Sequence, residues 1–167
     1  MVLFNGERGG GEAGGPEHPL SRKIYVELSP PSQDDPRADS ERLIQALEPD
    51  FPGVSLPYYV LKRDYAAFRK EDWKVTASLV FTGKGWQIAF LEAGDTSASH
   101  YGLAVDMGST TVVMALVDLN TGRVLAEEGC FSRQIAYGED ILSRIFYTQS
   151  GEAARKELQE ASAGTFS

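Results

Sequence analysis

A carboxylate, a glycine and three hydroxyl residues lie together in one run of the chain. The run reads Asp106-Met107-Gly108-Ser109-Thr110-Thr111. A carboxylate oxygen suits Mg²⁺, which proteins hold with one or two carboxylates, often through coordinated water, together with phosphate oxygens. A glycine lets the backbone approach a ligand closely, and successive N–H groups in a turn form a concave site for an anion. The run therefore predicts a site for Mg²⁺ and phosphate.

Each residue of this run has an expected role. Asp106 is the candidate catalytic and metal-binding residue, because it supplies the carboxylate. The candidate phosphate-binding residues offer backbone N–H groups and hydroxyl donors, and they are Gly108, Ser109, Thr110 and Thr111. The alternative is a polar hairpin turn without a ligand, in which turn-forming residues match the pattern by chance.

The elements around the run predict a turn between two strands. Residues 102–106 and 112–119 are mostly apolar, and the second of these segments is long. A hairpin turn signal follows at residues 120–122, and residues 123–128 are expected to form a third strand. The chain therefore turns back into a strand after the run, whereas the glycine-rich loops of dinucleotide-binding and P-loop proteins lead into a helix.

Helical spacing begins after residue 134. The apolar residues Ile141, Leu142, Ile145 and Phe146 are consistent with one helix face, and a further helix is expected over 152–161. Asp140 precedes Arg144 by four residues, a spacing typical of a modest surface ion pair. No strand pattern follows, so the predicted sheet is expected to be incomplete.

The first part of the chain predicts a small α+β domain over residues 23–98. Strands are expected at 23–28, 74–81 and 86–91, and helices from Asp39 or Ser40 to Pro49 and at 57–69. Residues 1–22 are rich in glycine and poor in apolar side chains, so they predict a disordered tether. Residues 101–167 form the second predicted domain.

The composition indicates which partners and which cellular compartment to expect. The chain has 167 residues with 16 basic and 24 acidic side chains, and its net charge of −8 opposes binding to nucleic acid. Its single cysteine, Cys130, is too few for an internal disulfide or an iron–sulfur cluster, so a reducing cytoplasm is expected. No segment reaches the ~18 apolar residues of a membrane span. His18 and His100 are predicted in exposed loops.

Residues 101–147 resemble the nucleotide-binding domain of the reductive activators of corrinoid proteins, ATPases of the acetate-and-sugar-kinase, heat-shock-chaperone and actin superfamily. The segment reads YGLAVDMGSTTVVMALVDLNTGRVLAEEGCFSRQIAYGEDILSRIFY. Upstream, YVELSPPSQDDPRADSERLIQAL and residues 86–95 are similar to the family's linker domain. The resemblance implies a fold of mixed α+β and α/β class. A small α+β linker domain would precede the first β-hairpin and helix of an actin-like, ribonuclease H-like ATPase subdomain.

The resemblance also implies a function. Members of this family use ATP to bring a low-potential electron to an oxidised Co(II) corrinoid protein and return it to Co(I). An N-terminal [2Fe–2S] domain delivers the electron, and ATP binds between two halves of the C-terminal core. By position, Asp106 would organise Mg²⁺, residues 108–111 would bind phosphate, and residues 134–144 would contact the partner or the cleft.

Parts of the family's pattern that this chain lacks imply a fragment. The cluster cysteines, the second phosphate loop, the adenosine-binding segment and the second lobe are absent from its 167 residues. The [2Fe–2S] centre is therefore expected elsewhere in the parent protein. A corrinoid protein and an electron-donor domain are the implied partners, and a homodimer is one arrangement open to the parent.

Two other functions stay open. A small-molecule kinase of the same superfamily would use the same phosphate turn, with an acidic residue beyond position 167 to deprotonate a substrate hydroxyl. A non-enzymatic module would instead use residues 23–95 to dock electron-transfer domains, and the hairpin would be structural.

Overall fold

The computed structural model describes residues 19–165, which fall into two compact units. The first unit contains residues 19–101 and 118–122, and the second contains residues 102–117 and 123–165. Most of the predicted tether, residues 1–18, lies outside the described residues. Its last two residues differ from the prediction, since Ser21 and Arg22 already pair with the neighbouring strand.

The first unit combines a three-stranded antiparallel sheet with three helices, which confirms the predicted α+β character. Its elements are β1 (Ser21–Glu27), α1 (Asp39–Leu47), α2 (Tyr58–Asp64), α3 (Ala67–Lys70), β2 (Lys74–Phe81) and β3 (Trp86–Ala93). Strand β2 lies in the middle, with Ser21 opposite Val80 on one side and Val75 opposite Ala93 on the other. The hairpin predicted between β2 and β3 is confirmed.

One hydrophobic core holds this unit together. Side chains two residues apart in a strand point to the same face, and helical residues four apart share a face. These periodicities bring together Val75, Ala77 and Leu79 from β2, Ile88 from β3, and Leu43, Leu47, Val60 and Phe68 from the helices. All eight are buried, so the first unit has the interior of an independent domain.

The single helix predicted over residues 57–69 is wrong, because two short helices replace it. At the break, Phe68 N donates to Tyr65 O at 3.3 Å and Arg69 N donates to Ala66 O at 3.2 Å. Such i to i+3 bonds tighten the backbone relative to an α-helix. Beyond the break Phe68 is fully buried, whereas Tyr65 stays exposed.

Helix α1 does not use the predicted N-cap, Asp39 or Ser40. Ala38 holds the N-cap position, and its N–H donates to the Glu41 carboxylate at 2.9 Å. Asp39 is buried, and its carboxylate accepts a hydrogen bond from Trp73 Nε1 at 2.8 Å and another from Arg69 Nη2 at 3.2 Å. The Asp39 carboxylate therefore binds side chains from elsewhere in the unit and does not cap the helix, so the predicted N-cap is wrong.

His100 is buried, contrary to the predicted exposed loop. Its Nε2 lies 3.0 Å from Ser21 Oγ, and its carbonyl oxygen accepts a hydrogen bond from Leu119 N at 2.8 Å. Burial, helped by the nearby Lys23 charge, lowers the pKa of His100 below its ordinary value. The other histidine, at position 18, lies outside the described residues.

The second unit follows the predicted order of three strands and then helices. Its elements are β4 (Tyr101–Met107), β5 (Thr111–Asp118), β6 (Arg123–Phe131), a 3₁₀ helix (Arg133–Tyr137), α4 (Ile141–Thr148) and α5 (Glu152–Gly164). The sheet order is β4-β5-β6. Strand β6 continues to Phe131 rather than ending at 128, and α5 continues to Gly164 rather than ending at 161. The predicted strand–turn–strand arrangement is confirmed.

Much of the apolar surface of this unit is exposed. The predicted apolar residues of α4 are exposed by 60% at Ile141, 51% at Ile145 and 67% at Phe146. Apolar side chains on β4 and β6 are exposed as well, including Leu103 and Val124. These exposed apolar side chains distinguish the second unit from the first, whose apolar side chains form a buried core.

Within the part of the chain that the structure describes, no helix combines the length and apolar character that crossing a membrane requires.

Candidate functional site

The turn between β4 and β5 is tight. Gly108 N donates to Thr111 O at 2.9 Å, and Ser109 and Thr110 form the exposed tip. A Cβ added to Gly108 would lie 2.8 Å from the same Thr111 oxygen, closer than real Cβ atoms approach. Glycine is therefore required here by the close approach of two backbone segments.

A hydrogen bond from the segment that follows β6 also holds the turn. Ser132 follows β6, and its N–H donates to Thr110 O at 2.9 Å. The Ser132 side chain is buried and caps the 3₁₀ helix, because its hydroxyl accepts a hydrogen bond from Gln134 N at 3.3 Å. One residue thus joins the tip of the turn to the start of the 3₁₀ helix.

A pocket of about 270 Å³ lies beside this turn. Apolar side chains of α4 and α5 form part of its wall. The rest comes from the end of β4, the turn, the 3₁₀ region and α4, through Met107, Gly108, Ser109, Ser132, Gln134, Arg144 and Thr148. The pocket combines backbone, hydroxyl, amide and guanidinium groups, a set that can hold an anion.

The predicted site residues divide around this pocket. Gly108 and Ser109 line it, whereas Thr110 and Thr111 contribute carbonyl oxygens to the hydrogen bonds that shape the turn. Asp106 is exposed near the end of β4, and strand alternation turns its side chain away from the face that presents Met107 to the pocket. The structure therefore brings two of the five predicted residues into one lining.

The fit of Mg²⁺ rests on Asp106 alone. The described residues contain no cluster of three or more histidine, cysteine, aspartate or glutamate side chains that could hold a metal. Mg²⁺ in nucleotide sites needs only one or two carboxylates, because phosphate oxygens and water complete its shell. One exposed carboxylate next to a phosphate turn is compatible with that arrangement.

Arg144 is the pocket residue whose position the sequence did not reveal, and the predicted surface ion pair is wrong. Asp140 is the N-cap of α4, since its carboxylate accepts hydrogen bonds from Ser143 N at 2.8 Å and Ser143 Oγ at 3.0 Å. These bonds hold the pKa of Asp140 below its ordinary value. Arg144 is buried, and its Nε donates to Gly138 O at 2.9 Å. Asp140 followed three residues later by Ser143 also fits an N-cap, and that interpretation would have predicted that Asp140 binds backbone N–H groups and does not pair with Arg144.

Gly138 allows this arrangement. Its φ of 149° lies in a region that side chains disfavour, and a Cβ would lie 2.7 Å from Ser143 Cβ. The glycine therefore lets the first turn of α4 pack against the end of the 3₁₀ helix. Its carbonyl oxygen can then reach the Arg144 guanidinium.

Known proteins share both halves of the chain. The family model described as the RACo linker region matches residues 12–98, and the one described as the RACo middle region matches residues 101–167. The chain is 35% identical over 74 residues to the corrinoid activation enzyme RamQ of Eubacterium limosum, a match that covers 44% of this chain and 12% of RamQ.

A solved structure gives the same result for the fold. The match is to a "Reductive activator for corrinoid,iron-sulfur protein", with a TM-score of 0.75 and 34% identity, and it covers 89% of this chain and 24% of that one. The chain thus spans about a quarter or less of the length of these relatives. Since the linker match alone covers more than half of the residues, the chain belongs to the RACo family, the reductive activators of corrinoid proteins that its sequence resembles.

Proposed function

We propose that this chain supplies the linker and the first phosphate-binding turn of an ATP-dependent reductive activator, which returns a corrinoid protein from Co(II) to Co(I). The observation that carries the proposal is the Gly108 turn with its adjoining pocket, in a chain of the RACo family. The relatives support it, because the names of both describe corrinoid activation.

The turn residues have distinct roles in this proposal. Backbone N–H groups and hydroxyls of Ser109, Thr110 and Thr111 bind phosphate, and Gly108 keeps the turn tight enough to present them. Asp106 would hold Mg²⁺, directly or through coordinated water. Hydrolysis of bound ATP would supply the free energy for the reduction, and Mg²⁺ would neutralise charge on the phosphates. The fit is supported by the Gly108 cradle, which leaves no room for a side chain.

The first unit is the linker in the same proposal. Its own hydrophobic core lets it fold as a spacer between an electron-donor domain and the ATPase core. The electron donor is a [2Fe–2S] domain in the remainder of the parent protein, and the acceptor is a corrinoid iron–sulfur protein. A reducing cytoplasm suits both, and a homodimer is a further arrangement of the parent.

ATP hydrolysis by the full-length protein that contains this chain tests the proposal. Asp106→Ala should lower turnover roughly 10- to 100-fold, the range found when a group that orients a bound metal is removed. Glu127→Ala is the matched control, because Glu127 is an exposed carboxylate on β6 of the same sheet. Equal turnover in the Asp106 variant and the control would refute the role of Asp106.

A further inference from the structure

One donor nitrogen of Arg144 is buried without a partner. The residue is 5% exposed, and its Nη2 makes no hydrogen bond to any described residue. The other nitrogens are bound, since Nε donates to Gly138 O at 2.9 Å and Nη1 donates to Gln134 Oε1 at 3.3 Å. The guanidinium is thus held at two corners, and the two N–H groups of the buried Nη2 have no acceptor among the described residues.

The charge of this guanidinium is poorly compensated. Both of its partners are neutral oxygens, one from the backbone and one from an amide. The carboxylate of Asp140 is nearby, but its oxygens accept hydrogen bonds from Ser143. Those bonds and, to a smaller extent, the Arg144 charge lower the pKa of Asp140. An arginine stays protonated inside proteins, and a buried charge is costly unless an opposite charge meets it. The site is therefore suited to an anion.

The pocket beside Arg144 offers room for that anion. Its volume of about 270 Å³ is several times the ~30 Å³ that a water molecule occupies in the liquid. Gly108 and Ser109 line the same pocket, and Arg144 is the charged residue among its described lining. Gln134 is also held in place, because its Nε2 donates to Leu158 O at 3.1 Å.

We propose that Arg144 and the Gly108–Ser109 turn form one phosphate-binding pocket, in which Arg144 supplies the positive charge and the turn supplies backbone and hydroxyl donors. The proposal rests on the proposed function and adds a binding residue to it. The ligand is the polyphosphate tail of a nucleotide. Arginine suits this task, because its planar fork matches the geometry of phosphate oxygens.

Nuclear magnetic resonance of the isotope-labelled chain, titrated with sodium tripolyphosphate, tests the pocket directly. The backbone amide signals of Gly108 and Ser109 and the side-chain N–H signals of Arg144 should shift together and give one dissociation constant. Adenosine should leave all of them unmoved. Inorganic phosphate separates the possible sources of the anion: weaker binding than tripolyphosphate supports the nucleotide tail, and equal or tighter binding overturns that choice of ligand.

Variants measure the contribution of the charge. Arg144→Gln should weaken tripolyphosphate binding about tenfold or more, as expected for the loss of a hydrogen bond between charged groups. Arg144→Lys keeps the charge but loses the planar fork, so it should weaken binding about threefold. Arg42→Gln is the matched control, since Arg42 is equally buried in the first unit and pairs with Asp35 at 2.6 Å. It should leave binding unchanged.

The possible outcomes separate this inference from the proposed function. Two outcomes would show that Arg144 has only a structural role, and the inference would then fail. In the first, the turn signals shift but the side-chain N–H signals of Arg144 do not. In the second, the folded Arg144→Gln variant binds tripolyphosphate as tightly as the unaltered chain. The turn would then still bind phosphate, and the proposed function would stand. If no signal of the unaltered chain shifts, the pocket is refuted, and ATP hydrolysis by the full-length protein decides the proposed function separately. If the variants unfold, the Arg144 signals of the unaltered chain still decide.

Discussion

At Gly108 the backbone leaves no space for a side chain. A Cβ there would lie 2.8 Å from the Thr111 carbonyl oxygen, so the two ends of the turn would have to separate. We expect Gly108→Ala to weaken binding of Mg–ATP to the full-length protein about tenfold, because displaced N–H groups lose hydrogen bonds to phosphate. Isothermal titration calorimetry measures this loss.

The control for this substitution is another glycine in a β-turn. A Cβ on Gly85, between β2 and β3, meets nothing within 4 Å, and its φ is not in the left-handed region. Gly85→Ala should therefore bind Mg–ATP as the unaltered protein does. Equal affinity in both variants would show that the Gly108 turn does not contact phosphate.

The sequence predicted the turn but not the buried arginine beside it. Asp106 to Thr111 form a local pattern, in which the position of each residue follows from its neighbours in the chain. The environment of Arg144 depends instead on Gly138 and Gln134, six and ten residues away, and on how α4 packs. From the sequence alone, the four-residue spacing between Asp140 and Arg144 predicts an exposed ion pair on the helix surface.

At the scale of elements, the junction between the 3₁₀ helix and α4 depends on Gly138. A side chain there would both occupy a disfavoured φ of 149° and lie 2.7 Å from Ser143 Cβ. Gly138→Ala should destabilise the second unit by about 2–4 kcal/mol, the sum expected for backbone strain and a steric clash. Chemical unfolding followed by tyrosine fluorescence would report the loss.

A substitution at Gly151 distinguishes the cost of backbone strain from the cost of a steric clash. It has a similar φ of 138°, but a Cβ there would meet nothing within 4 Å. Gly151→Ala should therefore cost only the strain, about 1–2 kcal/mol. If the two alanine variants lose the same stability, the contact of α4 with residue 138 is not tight.

The segment before β4 should give the first unit a pH dependence through His100. The folded state lowers the pKa of His100, mainly by burial and also through Lys23, against the opposing effects of a hydrogen bond with Asn120 and the charges of Asp118 and Glu92. The unfolded chain then binds more protons just below the ordinary histidine pKa of about 6.5. The contribution of His100 to the free energy of unfolding should therefore be fully present above that pH, and it should decrease as the pH drops from 7 to 5.

His100→Gln isolates this contribution. The amide keeps a polar partner for Ser21 Oγ but does not titrate. Between pH 7 and 5 the variant should lose less stability than the unaltered chain in urea unfolding. An identical pH dependence in the two proteins would mean that His100 is as solvated in the folded state as in the unfolded one.

Elements were predicted well where one periodicity acts alone. The strands around the turn follow from short apolar runs bounded by turn residues, and the β2–β3 hairpin follows from alternation. The break between α2 and α3 had no such signal, because residues 57–69 keep a helical pattern throughout. The tertiary packing that buries Phe68 introduces the i to i+3 bonds at the break.

At the scale of the whole molecule, the two units differ in how well they cover their apolar residues. The first unit encloses its own core, whereas the second exposes the apolar side chains of α4 together with parts of β4 and β6. The matched solved structure is about four times as long as the part this chain covers, since the match spans 24% of it.

The family could be predicted from the sequence because its motifs are local and occur in a fixed order. The linker-like segment precedes the strand–turn–strand run, and both regions match the family. The pocket could not be predicted, because its walls come from β4 and its turn, the 3₁₀ region, α4 and α5. Only the packing of those elements brings Arg144 beside the turn.

The most direct test is the conversion of Co(II) to Co(I) in a corrinoid protein from the same host, followed by absorbance with the full-length protein and a low-potential reductant. Co(I) should accumulate when Mg–ATP is added and should not accumulate without ATP, and Asp106→Ala should slow its formation roughly 10- to 100-fold. Accumulation that needs no ATP, or that is unchanged in the Asp106 variant, would refute the proposed function.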